Sequence, residues 1–136
     1  MPKKYGRKGK DTPLPKLYEQ STPLIIFRNK DESIAYGNWT SDGFLLKANS
    51  LITESENFEE NHPGIKAVKM ELIENSLLIH NEGMGFGEYM LAEDIYFHSP
   101  SAAGEIVLGH SCNGLKDWVN QNGISLGDLL DIDSNS

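Results

Sequence analysis

The stretch PLIIFRNKDESIAYGNWTSDGFLLKA, residues 23–48, decides the fold class. It holds three short strand-like runs, Leu24 to Arg28, Ser33 to Trp39 and Gly43 to Ala48. The breaks between them, Asn29-Lys30-Asp31-Glu32 and Thr40-Ser41-Asp42-Gly43, are rich in turn formers, and Asp-Gly is a favoured hairpin pair. Three strands joined by tight turns predict a meander.

Downstream, the pattern changes. Ser50 to Glu60 is polar and acidic and reads as a loop, with Glu54, Glu56, Glu59 and Glu60 solvated. Pro63 then stands where the first turn of a helix tolerates proline, and Ile65, Val68, Leu72, Ile73 and Leu77 recur at roughly helical spacing. This predicts a helix from Pro63 to His80. Glu88 to Leu91 reads as a strand, and Asp94 to Phe97 as its continuation in the same sheet. Ser99-Pro100-Ser101 opens a second main helix, Ser101 to Leu108, with a hydroxyl cap and an early proline, and Gly109 stops it. Leu115 to Val119 is a strand candidate centred on a core Trp118; Ser125 to Leu130 closes the domain. The expectation is therefore an α+β fold with a mainly antiparallel sheet and two main helices. It comprises a basic flexible arm over residues 1–20, a single domain over 21–131 and a disordered tail over 132–136.

At 136 residues, one core is expected. Hydrophobic residues at 38% and charged residues at 24% belong to a chain that folds, and no apolar run approaches the ~20 residues of a membrane span. The basic N-terminus runs into Asp11, Thr12 and two prolines instead of an apolar segment, so it is not read as a secretory signal. Cys112 is the single cysteine, which excludes an intramolecular disulfide and suits a reducing compartment; a cytoplasmic location is expected.

The net charge of −8 conceals two opposite regions. Lys3, Lys4, Arg7, Lys8 and Lys10 place five of the 12 basic residues in the first ten positions, leaving seven against 20 acidic residues, or −13, for the rest. Such a segment is either a solubilising tail or a non-specific phosphate-binding arm.

The chemistry-bearing motifs are weak ones. Gly83-Met84-Gly85-Phe86-Gly87 lacks the lysine of a phosphate loop, follows a helix instead of opening one, and is bordered by Glu82 and Glu88; it reads as a connecting loop. His62, His80, His98 and His110 stand at spacings that put no two imidazoles on one helical face, so no metal and no cofactor are expected. His110 and Cys112 are close in sequence but lie on a turn where they can face apart, and Cys112 reads as a small, part-buried residue. No carboxylate pair is placed by spacing, and the chain is read as a non-enzyme.

The most specific order lies between Ser99 and Leu130: Ser99-Pro100-Ser101-Ala102-Ala103, then Val107-Leu108-Gly109-His110-Ser111-Cys112-Asn113-Gly114, then Trp118, then Asn122-Gly123-Ile124-Ser125-Leu126. This resembles the uncharacterised prokaryotic domain found C-terminal to GIY-YIG nucleases. Ala35-Tyr36-Gly37 and Asp42-Gly43-Phe44-Leu45-Leu46-Lys47 extend the resemblance over nearly all of the chain beyond the basic arm. A more distant likeness is to the RAMA domain of restriction and adenine-methylase systems. The chain departs from the family pattern at His110, Cys112, Leu115 and Asn49, where arginine, alanine, tryptophan and glycine are usual. It carries no nuclease motif.

The resemblance implies a non-catalytic, nucleic-acid-associated accessory module of a restriction, repair or mobile-element system. Its candidate contacts are the basic residues Lys3, Lys4, Arg7, Lys8 and Lys10, together with Ser99, Ser101, His110, Ser111, Asn113 and Lys116, polar residues expected at helix ends and turns. The alternative is an acidic regulator, or DNA mimic, that binds a basic protein partner through the −13 body. No membrane partner is expected.

Overall fold

The computed structural model describes residues 4–6, 23–29, 32–40, 42–81 and 88–134. The meander forms as the pattern requires. Strands β2 (Leu24–Asn29), β3 (Glu32–Thr40) and β4 (Gly43–Leu46) pair antiparallel in sequence. Thr40 pins the second turn, its hydroxyl donating to the Gly43 carbonyl at 2.8 Å and accepting from the Asp42 amide at 3.1 Å. A register shift between Ile26 and Phe27 lets both Ile34 and Ala35 be buried in succession. Gly37 is required for packing: a Cβ there would meet the Phe44 ring, which lies across the strand and against Trp118, centroids 4.6 Å apart.

The two outer members of this sheet come from far along the chain. Strand β8 (Ile95–Phe97) pairs antiparallel with β4, and β1 (Lys4–Tyr5) pairs parallel with β8, giving the order β1-β8-β4-β3-β2. So the described part of the basic segment lies in the sheet, with Tyr5 buried, 6.1 Å from Phe97. Arg7, Lys8, Lys10 and Lys3 lie outside the described residues, as does the glycine-rich 83–87 loop.

A second, three-stranded antiparallel sheet has the order β5-β7-β6, from β5 (Leu51–Thr53), β6 (Leu78–Asn81) and β7 (Glu88–Leu91). Three expectations are corrected here. The 50–60 stretch is not a loop: it holds β5, with Ile52 fully buried, and helix α1 (Glu56–Asn61). A three-residue strand is too short to show a period, and α1 has no side-chain cap to announce it. The helix begun by Pro63 is α2 (Pro63–Glu74), and it ends six residues before His80. Asn75 and Ser76, the latter at φ 60°, break it, and Leu77 starts the turn into β6; its spacing from Leu72 and Ile73 only imitated a helical face. Third, Ile95–Phe97 does not continue the sheet of β7 but enters the main sheet beside β4.

Helix α3 (Pro100–Leu108) starts at the expected cap, Ser99 accepting from the Ala102 amide at 3.1 Å, and ends at Gly109, whose φ of 72° suits glycine. It buries Ala103, Ile106, Val107 and Leu108 in the core with Phe44, Leu46, Phe97 and Trp118. The Leu115–Val119 strand is not formed. Asn113 caps a short helix α4 (Gly114–Asp117) instead, because its side chain accepts from the Leu115 amide at 3.2 Å and offers the turn a helical start. Trp118 takes the expected core position, and Val119 bridges Ile25 through backbone bonds of 2.7 and 2.9 Å. A third sizeable helix, α5 (Leu126–Ser134), runs into the stretch expected to be tail. The fold is α+β with mostly antiparallel sheets. Among the described residues no helix is long and apolar enough to cross a membrane.

Candidate nucleic-acid interface

The signature between Ser99 and Trp118 closes on itself. Ser99 caps α3, and the Ser101 hydroxyl accepts from the Gly114 amide at 2.9 Å. The Asn113 side chain caps α4, while its amide donates to the Asp117 carboxylate at 3.0 Å. The buried Trp118 indole donates to the Pro100 carbonyl at 2.9 Å. Gly114 passes so close to α3 that a Cβ would meet the Ser101 amide and Pro100 backbone. Three of the candidate contact residues, Ser99, Ser101 and Asn113, thus hold the fold together. A hydroxyl accepting one bond still has a proton to donate, so Ser99 and Ser101 keep one hydrogen bond for a ligand.

His110, Ser111 and Lys116 are exposed. The His110 ring donates from Nδ1 to the Ser111 carbonyl at 2.9 Å. Between these groups the chain runs back along α3, and Cys112 fills the notch left by Gly104. Burial pushes the Cys112 thiol far up, and the Asp117 and Glu105 carboxylates push it the same way. A thiol so held packs against Gly104, and its surroundings disfavour the thiolate form. Among the described residues no cluster of histidine, cysteine and carboxylate could hold a metal ion.

A groove of about 530 Å³ opens where the starts of α2 and α3 meet the end of β1. Ile65, Val68, Phe97 and Ile106 contribute its apolar lining; His62, Glu105, Ser99 and Ser101 are its polar groups. The His62 ring stacks at 4.1 Å on Phe58 and donates from Nδ1 to the Phe58 carbonyl at 2.9 Å, which leaves Nε2 as an acceptor in the neutral ring. Gly6 lines the same groove, and a Cβ on it would meet Ala102 of α3. The described part of the basic segment, residues 4–6, therefore ends against the first turn of α3, beside Ser99 and Ser101.

Sequence reading missed the groove because its walls come from three separate segments. It also missed how the body's cations are used. Arg28 reaches Glu32 at 3.5 Å and Thr53 at 3.1 Å, Lys47 meets Asp94 at 2.9 Å, and the buried Lys69 meets Glu59 at 3.3 Å. Glu59, expected in solvent, is an ion-pair partner.

Residues 25–130 match the family described as Domain of unknown function (DUF4357). The chain belongs to that family. No curated protein and no solved structure matches it. The DUF4357 region starts inside β2, so β1 and the basic residues ahead of it lie outside the match. It contains the whole interlock from Ser99 to Trp118. Asn49, where the pattern the chain resembles has glycine, has φ 73°, a conformation that asparagine tolerates best after glycine.

Proposed function

We propose that this chain is a non-catalytic nucleic-acid-binding accessory module, in which the basic N-terminal segment supplies phosphate contacts and the Ser99–Lys116 surface supplies orientation. The observation that carries this reading is the rooting of the basic segment, through Tyr5 and Gly6, against α3. It sets Gly6, at the end of the described part of the basic segment, beside the first turn of α3, which carries the Ser101 hydroxyl. Because Arg28, Lys47 and Lys69 already face carboxylates, the body adds little positive field, and affinity rests on the segment. The company of GIY-YIG nucleases kept by the domain it resembles supports a place in a restriction, repair or mobile-element system.

The test is fluorescence anisotropy with labelled DNA and RNA over a salt series. Each phosphate neutralised contributes about −0.7 to −0.9 to the slope of log K against log salt, so five cations predict a slope of roughly −4. Replacing Lys3, Arg7, Lys8 and Lys10 by glutamine should remove most of the affinity and flatten that slope. No binding to any single- or double-stranded nucleic acid at low salt would refute the reading.

A second reading is favoured by the exposed Glu54, Glu60, Glu74, Glu93, Asp128 and Asp131. They suit a basic protein partner, whose capture would survive both nuclease treatment and the glutamine substitutions.

A further inference from the structure

The chain contains two Asn-Gly pairs, Asn113-Gly114 and Asn122-Gly123. An asparagine followed by glycine is chemically unstable, because no side chain on the glycine shields its backbone nitrogen from the neighbouring carboxamide carbon. Both asparagines are exposed, so access to water does not separate them. The nitrogen that must attack does. Gly114 is buried, and its amide is held at 2.9 Å by the Ser101 hydroxyl in a space so tight that a Cβ would meet the backbone of Pro100 and Ser101. The Asn113 carboxamide is held as well, accepting from the Leu115 amide at 3.2 Å. At the second pair the surroundings are open. Gly123 is exposed, a Cβ on it would meet nothing within 4 Å, and its amide donates to the Asn120 carbonyl at 2.9 Å within a surface turn, a bond readily exchanged for water. The Asn120 side chain ties this turn, accepting from the Asn122 and Ile124 amides at 2.9 and 3.0 Å, while the Asn122 carboxamide itself makes no hydrogen bond with the described residues.

We infer that Asn122 is a site of spontaneous covalent modification in the native protein, converting through a cyclic imide into aspartate and isoaspartate, and that the interlock of α3 with α4 keeps Asn113 intact. The Gly123 nitrogen loses its proton to water or hydroxide and bonds to the Asn122 Cγ; the Cγ–Nδ2 bond breaks, and Nδ2 leaves with a proton as ammonia. Water then adds to one of the two imide carbonyls and breaks its bond to the Gly123 nitrogen. Opening at the side-chain carbonyl restores an ordinary backbone with aspartate, whereas opening at the main-chain carbonyl routes the backbone through Cγ and adds a methylene to it. Either product adds a negative charge to a body that already carries an excess. The isoaspartate also lengthens the turn between Val119 and Ser125, which are bridged to each other, and so slackens the tie that leads into α5. The chemistry is independent of what the module binds.

The experiment incubates the full chain at mildly alkaline pH, folded in buffer and unfolded in guanidinium chloride, and follows both sites by peptide mass spectrometry. Trypsin cleaves after Lys116, which puts Asn113 and Asn122 on different peptides, and fragment ions assign the converted residue. Dividing each site's rate in the unfolded chain by its rate in the folded chain removes the intrinsic reactivity of its neighbours. Folding is expected to slow Asn122 by no more than about tenfold, the worth of one exposed hydrogen bond. It should slow Asn113 by about 100-fold or more, because the Gly114 amide is freed only when the α3–α4 contact opens. Ser101→Ala, checked for folding by thermal unfolding, should speed Asn113 and leave Asn122 unchanged. Equal slowing at the two sites, or an Asn122 that keeps its amide in the folded chain, overturns the proposal. A folded Ser101→Ala chain in which Asn113 stays as slow as in the parent overturns the assignment of its protection to that bond.

Discussion

Replacing Gly114 by alanine adds one methyl group where α3 and α4 touch. The added carbon would lie within 2.4–2.6 Å of the Ser101 amide, the Pro100 carbonyl carbon and the Pro100 Cβ. Backbone atoms of a capped helix cannot swing aside as a side-chain tip can, so the two helices must separate. Forcing a methylene-sized group into a packed site costs about 1–3 kcal/mol. Separation also stretches the Gly114–Ser101 bond, worth about 1 kcal/mol, and the Trp118–Pro100 bond beyond it. A total near 3 kcal/mol is a large share of the ~5–15 kcal/mol that holds a domain of this kind together. The assay is urea unfolding followed by tryptophan fluorescence, since Trp118 is fully buried against Phe44. With a urea slope of about 1–3 kcal/mol per molar, the midpoint should fall by roughly 1–3 M. Gly64→Ala is the control. Gly64 is in helix α2 with open space around it, and alanine there should leave stability unchanged or raise it by up to ~1 kcal/mol. A Gly114→Ala unfolding free energy within ~0.5 kcal/mol of the parent would refute the account of the interlock.

Two further substitutions test the electrostatics. Lys69→Met strands Glu59, whose side chain is 14% exposed, and should cost about 3–5 kcal/mol, most of it recovered by adding Glu59→Leu; a double-mutant cycle by urea unfolding reads this directly. Burial raises the pKa of Asp94, but the Ala48 amide and the Lys47 ammonium outweigh it and hold the carboxyl below its usual value. Its contribution is therefore present above the unfolded-state pKa near 4 and lost as pH falls through the lower folded value. Asp94→Asn should lower stability slightly at neutral pH and flatten the acid limb of the stability curve below about pH 4, the effect being small because the pair is solvent-screened.

What the sequence made legible was whatever a local signal specifies. The meander followed from alternation and turn chemistry, and α3 from Ser99, Pro100 and Gly109. The β5 strand and α1 left no such trace, because three and six residues are too few to establish a period. Leu77 continues the helical spacing although it lies beyond the helix, because apolar spacing alone cannot distinguish the end of a helix from the beginning of a strand, and only the Asn75-Ser76 turn does. For the site, the structural employment of the polar residues was not legible: Ser101 and Gly114 are 13 positions apart, and nothing local says that they bond. The β2–β3 pair carries one further signal. Ile25, Phe27 and Tyr36 are apolar or aromatic on alternate positions whose partners are already core, which marks a strand with two surfaces to satisfy.

The Ile25–Val119 bridge bears on how the domain can be joined to other chains. It sets the opening strand of the family region directly beside the residue that leads, through the Trp118–Leu126 backbone bond, into α5 and the region's end at residue 130. Entry and exit are thereby separated by little more than the length of one nine-residue helix, about 14 Å. A unit with neighbouring ends can be spliced into a surface loop of a host protein on short connectors, without prising that host apart.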